Sequence, residues 1–400
     1  MTGRAAGVNN TSVLQPVYFF AFMAVGVSMP FLPPYLRGLG FSGRQLATVL
    51  AIVPLLNMGV PLFWAWVADR THRHPRVLSV VCLGAALGVV PVGLARRFPS
   101  LLGAYFAFAS FSVGIGALID SVAIARVRGG GGHYGRIRIW GSAGYILASV
   151  GVGVWLTERG DRPGDPLVPA LMAASYLGAF AASLQLGGTG EAARRPRWRD
   201  VGALIGDRRF RLLLTIAPLH WIGCAPYNVF FGIFVRDRGL SPAVLGLALG
   251  TGVLAEMIVL LEFTRLQSRF ALERLLAVAF AGTALRWALM PLCAHGGAII
   301  ALQSLHGLTF GLYWGAGIAL VGACVPAHLR ATGQSLFVIA MLGVGNVVGY
   351  LATGVLYDAV GTVSPAFLAA AALEMIPLAL VIGAARERRA PTRAPSEPVR

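Results

Sequence analysis

The chain has 400 residues, of which 56% are hydrophobic and only 12% charged, about half of the roughly 25% charge of an ordinary globular protein. With a mean hydropathy of +0.72, that composition excludes an ordinary water-soluble domain and reads as an all-α membrane protein crossing the bilayer many times. The net charge of +17 does not point to nucleic acid, because every one of the 33 basic residues is an arginine and they cluster in alternate loops, a topology signal.

Apolar runs of spanning length, about 17–25 residues, recur from end to end. They predict spans near 13–36, 45–68, 77–95, 100–125, 137–157 and 168–187, then 210–235, 243–264, 273–293, 298–324, 332–356 and 364–384, twelve in all. Span one has one Arg before it and no small-residue cleavage site, so it is expected to be retained. Pro30, Pro33 and Pro34 are expected to end or bend it. Arg70, Arg73 and Arg76 follow span two, and Arg126, Arg128 and Arg136 flank the turn after span four. Seven arginines from Arg194 to Arg211 fill the middle, Arg265, Arg269 and Arg274 follow span eight, and Arg386, Arg388, Arg389 and Arg393 lie in the tail. By the positive-inside rule both termini and the middle linker are cytoplasmic, in a cell membrane. The overlapping glycosylation sequons at Asn9-Asn10-Thr11-Ser12 are then chance.

The one long polar stretch inside the chain divides the spans six and six, giving an N-terminal six-helix bundle over 1–187, a linker over 188–209, a C-terminal bundle over 210–385 and a tail over 386–400. Gly40-Phe41-Ser42 before Leu46-Ala47 matches Gly239-Leu240-Ser241 before Leu245-Gly246 at a constant offset, which sets Leu56-Asn57-Met58 beside Ala255-Glu256-Met257. Parallel repeats with a solute site near the midplane are an established transporter architecture. The 51 glycines suit close helix packing in lipid.

Charged groups at membrane depth cost several kcal/mol unless they line a cavity or find partners, so they mark a pathway by default. Asp120 on span four and Arg138 on span five can face each other across the Gly129–Gly132 turn, either as a solute site or as a structural ion pair. Arg138, Ser142, Tyr145 and Ser149 share a helix face, although Arg138 lies near enough to the span end to snorkel. In the second half Glu256, Arg286 and His306 fall in spans eight, nine and ten, either as a buried salt-bridge cluster or as working groups. A carboxyl group in low dielectric favours its neutral form, as a proton carrier needs, and Arg286 and His306 could supply the charge that tunes it. Tyr227, Asn228, Gln303 and Trp314 have plausible cavity positions, whereas Glu262 and Glu374 lie nearer span ends and read as structural. Cys82, Cys224, Cys293 and Cys324 all fall in spans without metal-ligand spacing, so neither metal nor cofactor is expected. The Gly129–Gly132 run lacks the Lys-Ser/Thr of a phosphate loop, and no HExxH, GxSxG or hydrolytic carboxylate pair occurs, so the chain does not read as an enzyme.

With these residues in hand the whole chain resembles the major facilitator superfamily, which implies that fold: twelve transmembrane helices in two six-helix bundles. Ala65-Trp66-Val67-Ala68-Asp69-Arg70 with Arg73 and Arg76 is similar to the superfamily's gating loop between spans two and three, with Ala65 and His72 where glycines are usual. Tyr134-Gly135-Arg136-Ile137-Arg138-Ile139-Trp140-Gly141-Ser142, Leu302-Gln303-Ser304-Leu305-His306 and Gly354-Val355-Leu356-Tyr357-Asp358 resemble the branch of lactose permeases, nucleoside–proton symporters and phenylpropionate permeases. Val253-Leu254-Ala255-Glu256 and Leu285-Arg286-Trp287 are most like the last group.

By resemblance to the lactose permease, Asp120 and Arg138 would bind solute, Tyr145 would stack on it, and Glu256, Arg286 and His306 would match that protein's charged residues in spans eight to ten. Thr309 stands where the lactose permease has its proton-carrying Glu, so that specific coupling route is absent. Asn228 and Phe231 replace two aspartates while Gln303 and Leu342 replace their lysine partners, leaving no orphaned charge. The expectation is a monomeric, proton-coupled symporter of a small organic solute working by alternating access. Asp120, Arg138, Tyr145, Tyr227, Asn228, Arg286 and His306 would bind solute, and Glu256, then Asp120, would carry the proton. An aromatic or small carboxylate comes first, and nucleosides and small glycosides next. A drug–proton antiporter of the same fold and a transport-inactive receptor are the alternatives.

Overall fold

The computed structural model describes residues 11–128, 133–187 and 201–387. The Gly129–Gly132 run, the sequon asparagines, most of the 188–209 linker and nearly all of the tail lie outside the described residues. Among the described residues every regular element is helical and no strand occurs. The long helices are α1 (Gln15–Gly38), α2 in two segments (Gly43–Asn57 and Val60–Thr71), α3 (His74–Leu94), α4 (Phe98–Arg128), α5 (Tyr134–Glu158) and α6 (Leu167–Ser183). There follow α7 (Arg208–Asp237), α8 (Pro242–Arg269), α9 (Leu272–Leu289), α10 (Gly296–Cys324), α11 (Thr332–Val360) and α12 (Ser364–Glu387).

Nine of these helices are long and apolar enough to cross a membrane, and the bent α2 makes a tenth. Of the other two, α6 is apolar but only 17 residues long, and α7 runs 30 residues with arginines at both ends. Each span expected from sequence falls on one of them, with its ends displaced by a few residues.

Proline acts differently in α1 and α2. The segments of α2 meet at a 42° bend, where Pro61 has no N–H to offer the Asn57 carbonyl and Gly59 leaves helical geometry. In α1 the expected end at Pro30, Pro33 and Pro34 does not occur, and the helix continues to Gly38. Neighbouring helices compensate: the Gly26 carbonyl freed by Pro30 lies 3.3 Å from Ser149 Oγ of α5, whose hydroxyl it shares with the Tyr145 carbonyl at 2.8 Å. The Pro30 carbonyl freed by Pro34 faces Gly232 of α7, where a Cβ would lie 2.5 Å from it.

The turns after α1 and α7 carry the repeat read in the sequence. Gly40 and Gly239 take φ of +92° and +68°, the left-handed region that closes a helix cheaply only with glycine. Ser42 and Ser241 then stand at the N-caps of α2 and α8. At this end several contacts join α1–α6 to α7–α12. Asp358 of α11 accepts the Gly43 and Arg44 amides of α2 at 2.6 and 2.9 Å. Thr157 Oγ1 of α5 accepts the Ala243 amide of α8 at 3.0 Å, and Arg236 of α7 donates to the Asp161 carbonyl at 2.9 Å and to its carboxylate at 3.2 Å. Gly153 and Gly246 bring the α5 and α8 backbones together.

Asp358 supplies the charge-assisted half of this closure, so Asp358→Ala should weaken it by about 1–2 kcal/mol, a population shift of about five- to thirtyfold toward opening at this end. Distances between spin labels on α2 and α11 would measure the shift, and an unchanged distribution would show that the carboxylate does not hold the end closed.

Candidate functional site

Glu256 of α8, Arg286 of α9 and His306 of α10 come together as a linear chain. Arg286 is fully buried. Its Nη1 lies 3.0 Å from His306 Nδ1, and its Nη2 donates to Gln303 Oε1. Its guanidinium lies 4.3 Å from the ring centre of Tyr227 and 4.5 Å from that of Trp287. Gln303 is fixed in turn by donating to the Ile299 carbonyl at 2.9 Å. Because a guanidinium only donates, His306 Nδ1 must accept, which puts the ring proton on Nε2. That nitrogen faces Glu256 Oε2 at 3.7 Å. Arg286 is thus placed behind His306 rather than against Glu256, and among the described residues no carboxylate reaches it as an ion-pair partner.

The path of α10 makes this possible. It starts as α-helix, tightens to a 3₁₀ turn at Gln303–Leu305 and widens to a π-helix at Gly307–Leu312. Such interruptions recur at functional sites. Gly252 of α8 leaves room for the His306 ring, which would lie 3.3 Å from a Cβ there.

The facing group on α4 and α5 differs from expectation. Asp120 and Arg138 do not pair. Asp120 Oδ1 instead accepts Tyr18 Oη at 2.5 Å and Tyr134 Oη at 2.8 Å, while the Arg138 guanidinium sits 4.1 Å from the Phe22 ring centre. Two phenols supply the hydrogen bonds that the carboxylate needs, and a ring face receives the cation. Arg138 remains partly exposed and lies close enough to Glu256 to act on it through space. The shared face of α5 is largely spent on packing: Ser149 is fully buried, its hydroxyl between the Tyr145 carbonyl at 2.8 Å and the Gly26 carbonyl of α1 at 3.3 Å, and Tyr145 Oη lies 3.7 Å from Met29 Sδ. Tyr145 is also an electrostatic neighbour of Tyr227 and Glu256, so it belongs to the central group.

Asn228 reaches Asn346 Oδ1 at 3.4 Å, and Asn346 donates to the Leu342 carbonyl at 3.1 Å, so neutral amides fill this region. Across the α2–α3 turn, Asp69 in the last turn of α2 meets His74 at the start of α3 at 2.9 Å; Arg70 lies over Trp66 and Arg73 precedes α3, exposed. Glu262 pairs with Arg265 at 2.7 Å on the surface.

Glu374 corrects its expectation: it sits in mid-helix, fully buried, with His220 Nδ1 at 2.8 and 3.0 Å from its two oxygens. With Cys224, one turn along α7 from His220, this trio brings ligand-type atoms within 4.8 Å of one another, a grouping that sequence spacing did not reveal. The available signal was a histidine inside an apolar span.

Residues 12–369 match the MFS_1 like family. The maltose permease of Geobacillus stearothermophilus is 27% identical over 340 residues, covering 84% of each chain. The "Probable 3-phenylpropionic acid transporter" of Escherichia coli (strain K12) is 24% identical over 304 residues, 76% of this chain and 80% of that one. Among solved structures, the D323A mutant of the nucleoside transporter NupG superposes with a TM-score of 0.84 at 17% identity, covering 93% of this chain and 99% of that one. A bacterial homolog of the lysosomal transporter Spinster gives 0.77 at 15% identity, covering 96% and 98%. These two likenesses show the fold.

Nitrogen-15 NMR of histidine-labelled protein should find His306 as the neutral Nε2–H tautomer, and a protonated Nδ1 would refute the chain as drawn. Arg286→Lys, which loses one of the two donor arms, should cost about 1–3 kcal/mol of stability, read as a lower thermal midpoint.

Proposed function

The chain belongs to the MFS_1 like family and is therefore a multi-pass membrane transporter and not an enzyme, and from that premise we propose that it is a proton-coupled symporter of a small organic anion. The observation that carries this reading is the chain from Glu256 through His306 to Arg286. It offers a carboxylate that is 21% exposed, a histidine whose proton points at it, and a buried cation behind both. Proton binding to Glu256 removes one negative charge beside two arginines, which leaves the site more positive and readier to hold an anionic solute. Release of the proton restores the charge and weakens that hold, and so links the two bindings.

Arg138, partly exposed over Phe22, is suited to meet the solute carboxylate, and Tyr145 and Tyr227 to line its apolar part. Arg286, sealed behind His306 and Tyr227, fits tuning better than direct contact. Asp120, held by two tyrosines, fits orientation of α1 and α5 better than proton carriage. Aromatic or small carboxylates come first, in keeping with the relative named for 3-phenylpropionic acid. The maltose permease relative supports a small glycoside as the second reading. A drug–proton antiporter is disfavoured by the two arginines, which repel lipophilic cations. The transport cycle would rock residues 1–187 against 210–385 about this site, with the linker and both termini cytoplasmic.

In proteoliposomes, adding phenylpropionate-like acids should alkalinise the outside beyond the passive permeation of protein-free vesicles. Glu256→Gln should lose accumulation driven by a unit pH gradient, about tenfold for one coupled proton, while retaining solute exchange. Full accumulation by that variant would remove Glu256 from the proton role. Proton release on adding lipophilic cations would instead favour the antiporter.

A further inference from the structure

The central chain does not use the buried titratable pair where α7 meets α12 and α10. His220 and Glu374 are both fully buried. The imidazole is walled by Trp221, Phe280 and Tyr313, the last with ring centres 4.2 Å apart. Glu374 has its place because residue 223 is glycine: a Cβ there would stand 2.7 Å from Glu374 Oε1. Both ring nitrogens are engaged, Nδ1 by the carboxyl group at 2.8 Å and Nε2 by the Thr309 backbone carbonyl at 3.1 Å.

A carbonyl can only accept, so Nε2 must carry a hydrogen. Nδ1 then either donates to an ionised Glu374 or accepts from a protonated one. Both arrangements hold the same number of protons, one more than a neutral histidine beside a carboxylate. If that proton leaves, a bare nitrogen must face either the carboxylate or the Thr309 carbonyl, and one of the two bonds fails. The titratable groups facing His220 are Glu374 from α12, Tyr313 from α10 and Cys224 from α7 itself. Three ligand-type atoms, one of them on a histidine with both nitrogens engaged, make a poor metal site.

Thr309 is the link outward. It lies in the π-helical segment Gly307–Leu312, where the Tyr313 amide turns to the Phe310 carbonyl instead of to Thr309. The same segment packs against α8: Cβ atoms at Gly307 and Gly311 would lie 2.8 Å from the Ala255 carbonyl and 3.1 Å from the Glu256 carbonyl. His306 immediately precedes it. One short irregular segment therefore touches His220 on one side and the Glu256 backbone on the other.

We propose that His220 and Glu374 form a second proton-binding site, occupied in the conformation seen here and emptied when the π-helical segment of α10 rearranges in the opposite conformation. This goes beyond the role given to Glu256 and holds whatever solute is carried. Low pH favours the conformation seen here, because it alone retains this proton.

The test uses the full chain in lipid nanodiscs without solute, spin-labelled on α2 and α11. In Glu256→Gln protein, the ratio of the two conformations should still change with pH, by up to about tenfold per unit for one linked proton. In Glu256→Gln with Glu374→Gln it should be flat. A flat profile in the single variant, or an undiminished slope in the double variant, overturns the proposal. Should the double variant fail to fold, His220→Asn in the Glu256→Gln background replaces it with the same expectation. Infrared difference spectra of histidine-labelled Glu256→Gln between low and high pH should show a histidine or carboxyl protonation change accompanying the shift, and its absence also overturns the proposal. Solute-driven proton flux, which tests the symport reading, is not measured here, so the two readings can fail separately.

Discussion

Hydrocarbon cannot hydrogen-bond, so a polar group carried into the bilayer is costly unless the protein supplies its partner. The arrangement of this chain follows from that demand. Among the described residues no carboxylate pairs with Arg286, and its charge is met by the Gln303 oxygen, the His306 nitrogen and two ring faces. Asp120 is met by two phenols. His220 and Glu374 meet each other. None of these solutions is a simple pair of opposite surface charges, and the last two tie together helices far apart in the chain.

The backbone obeys the same rule. Prolines that in water would end a helix are carried through α1 because α5 and α7 approach closely enough to serve or shelter the freed carbonyls. Close approach in turn requires glycine at the crossing points, as at Gly232 and Gly246. The π-helical segments in α10 and α11 shift which side chains face inward without breaking the helix. In α10 that shift brings Gln303, His306 and Thr309 into separate polar contacts over two turns.

The helix positions, the turn repeat and the grouping of Glu256, Arg286 and His306 were legible in the sequence, because each is written in local pattern: hydropathy runs, a Gly-x-Ser turn, and charge where charge is expensive. Partner choice was not. Tyr18 and Asp120 are 102 residues apart, and His220 and Glu374 are 154 apart. Asp120 could have taken Arg138 or two tyrosines with equal chemical sense, and only packing decides. Glu374 reads in the sequence as an end-of-span residue although it lies midway along the predicted span 364–384, and its partner on α7 could not be read from local pattern. The π-helical stretches left no signature beyond glycines that also serve ordinary packing.

The cap on α2 sets how the closed end comes apart. Ser42 and Gln45 already satisfy two groups of that helix start from within, the Gln45 amide by the Ser42 hydroxyl and the Ser42 amide by the Gln45 side chain. Asp358 covers the next two amides, at Gly43 and Arg44, from the other half of the molecule. Separation therefore exposes only two amides of α2, at a mouth where water replaces the carboxylate at once, and the first turn of α2 does not unravel. The joint behaves as a plug and socket with a rigid pin: detachable, cheap to wet, and able to reseat in the same register on every cycle.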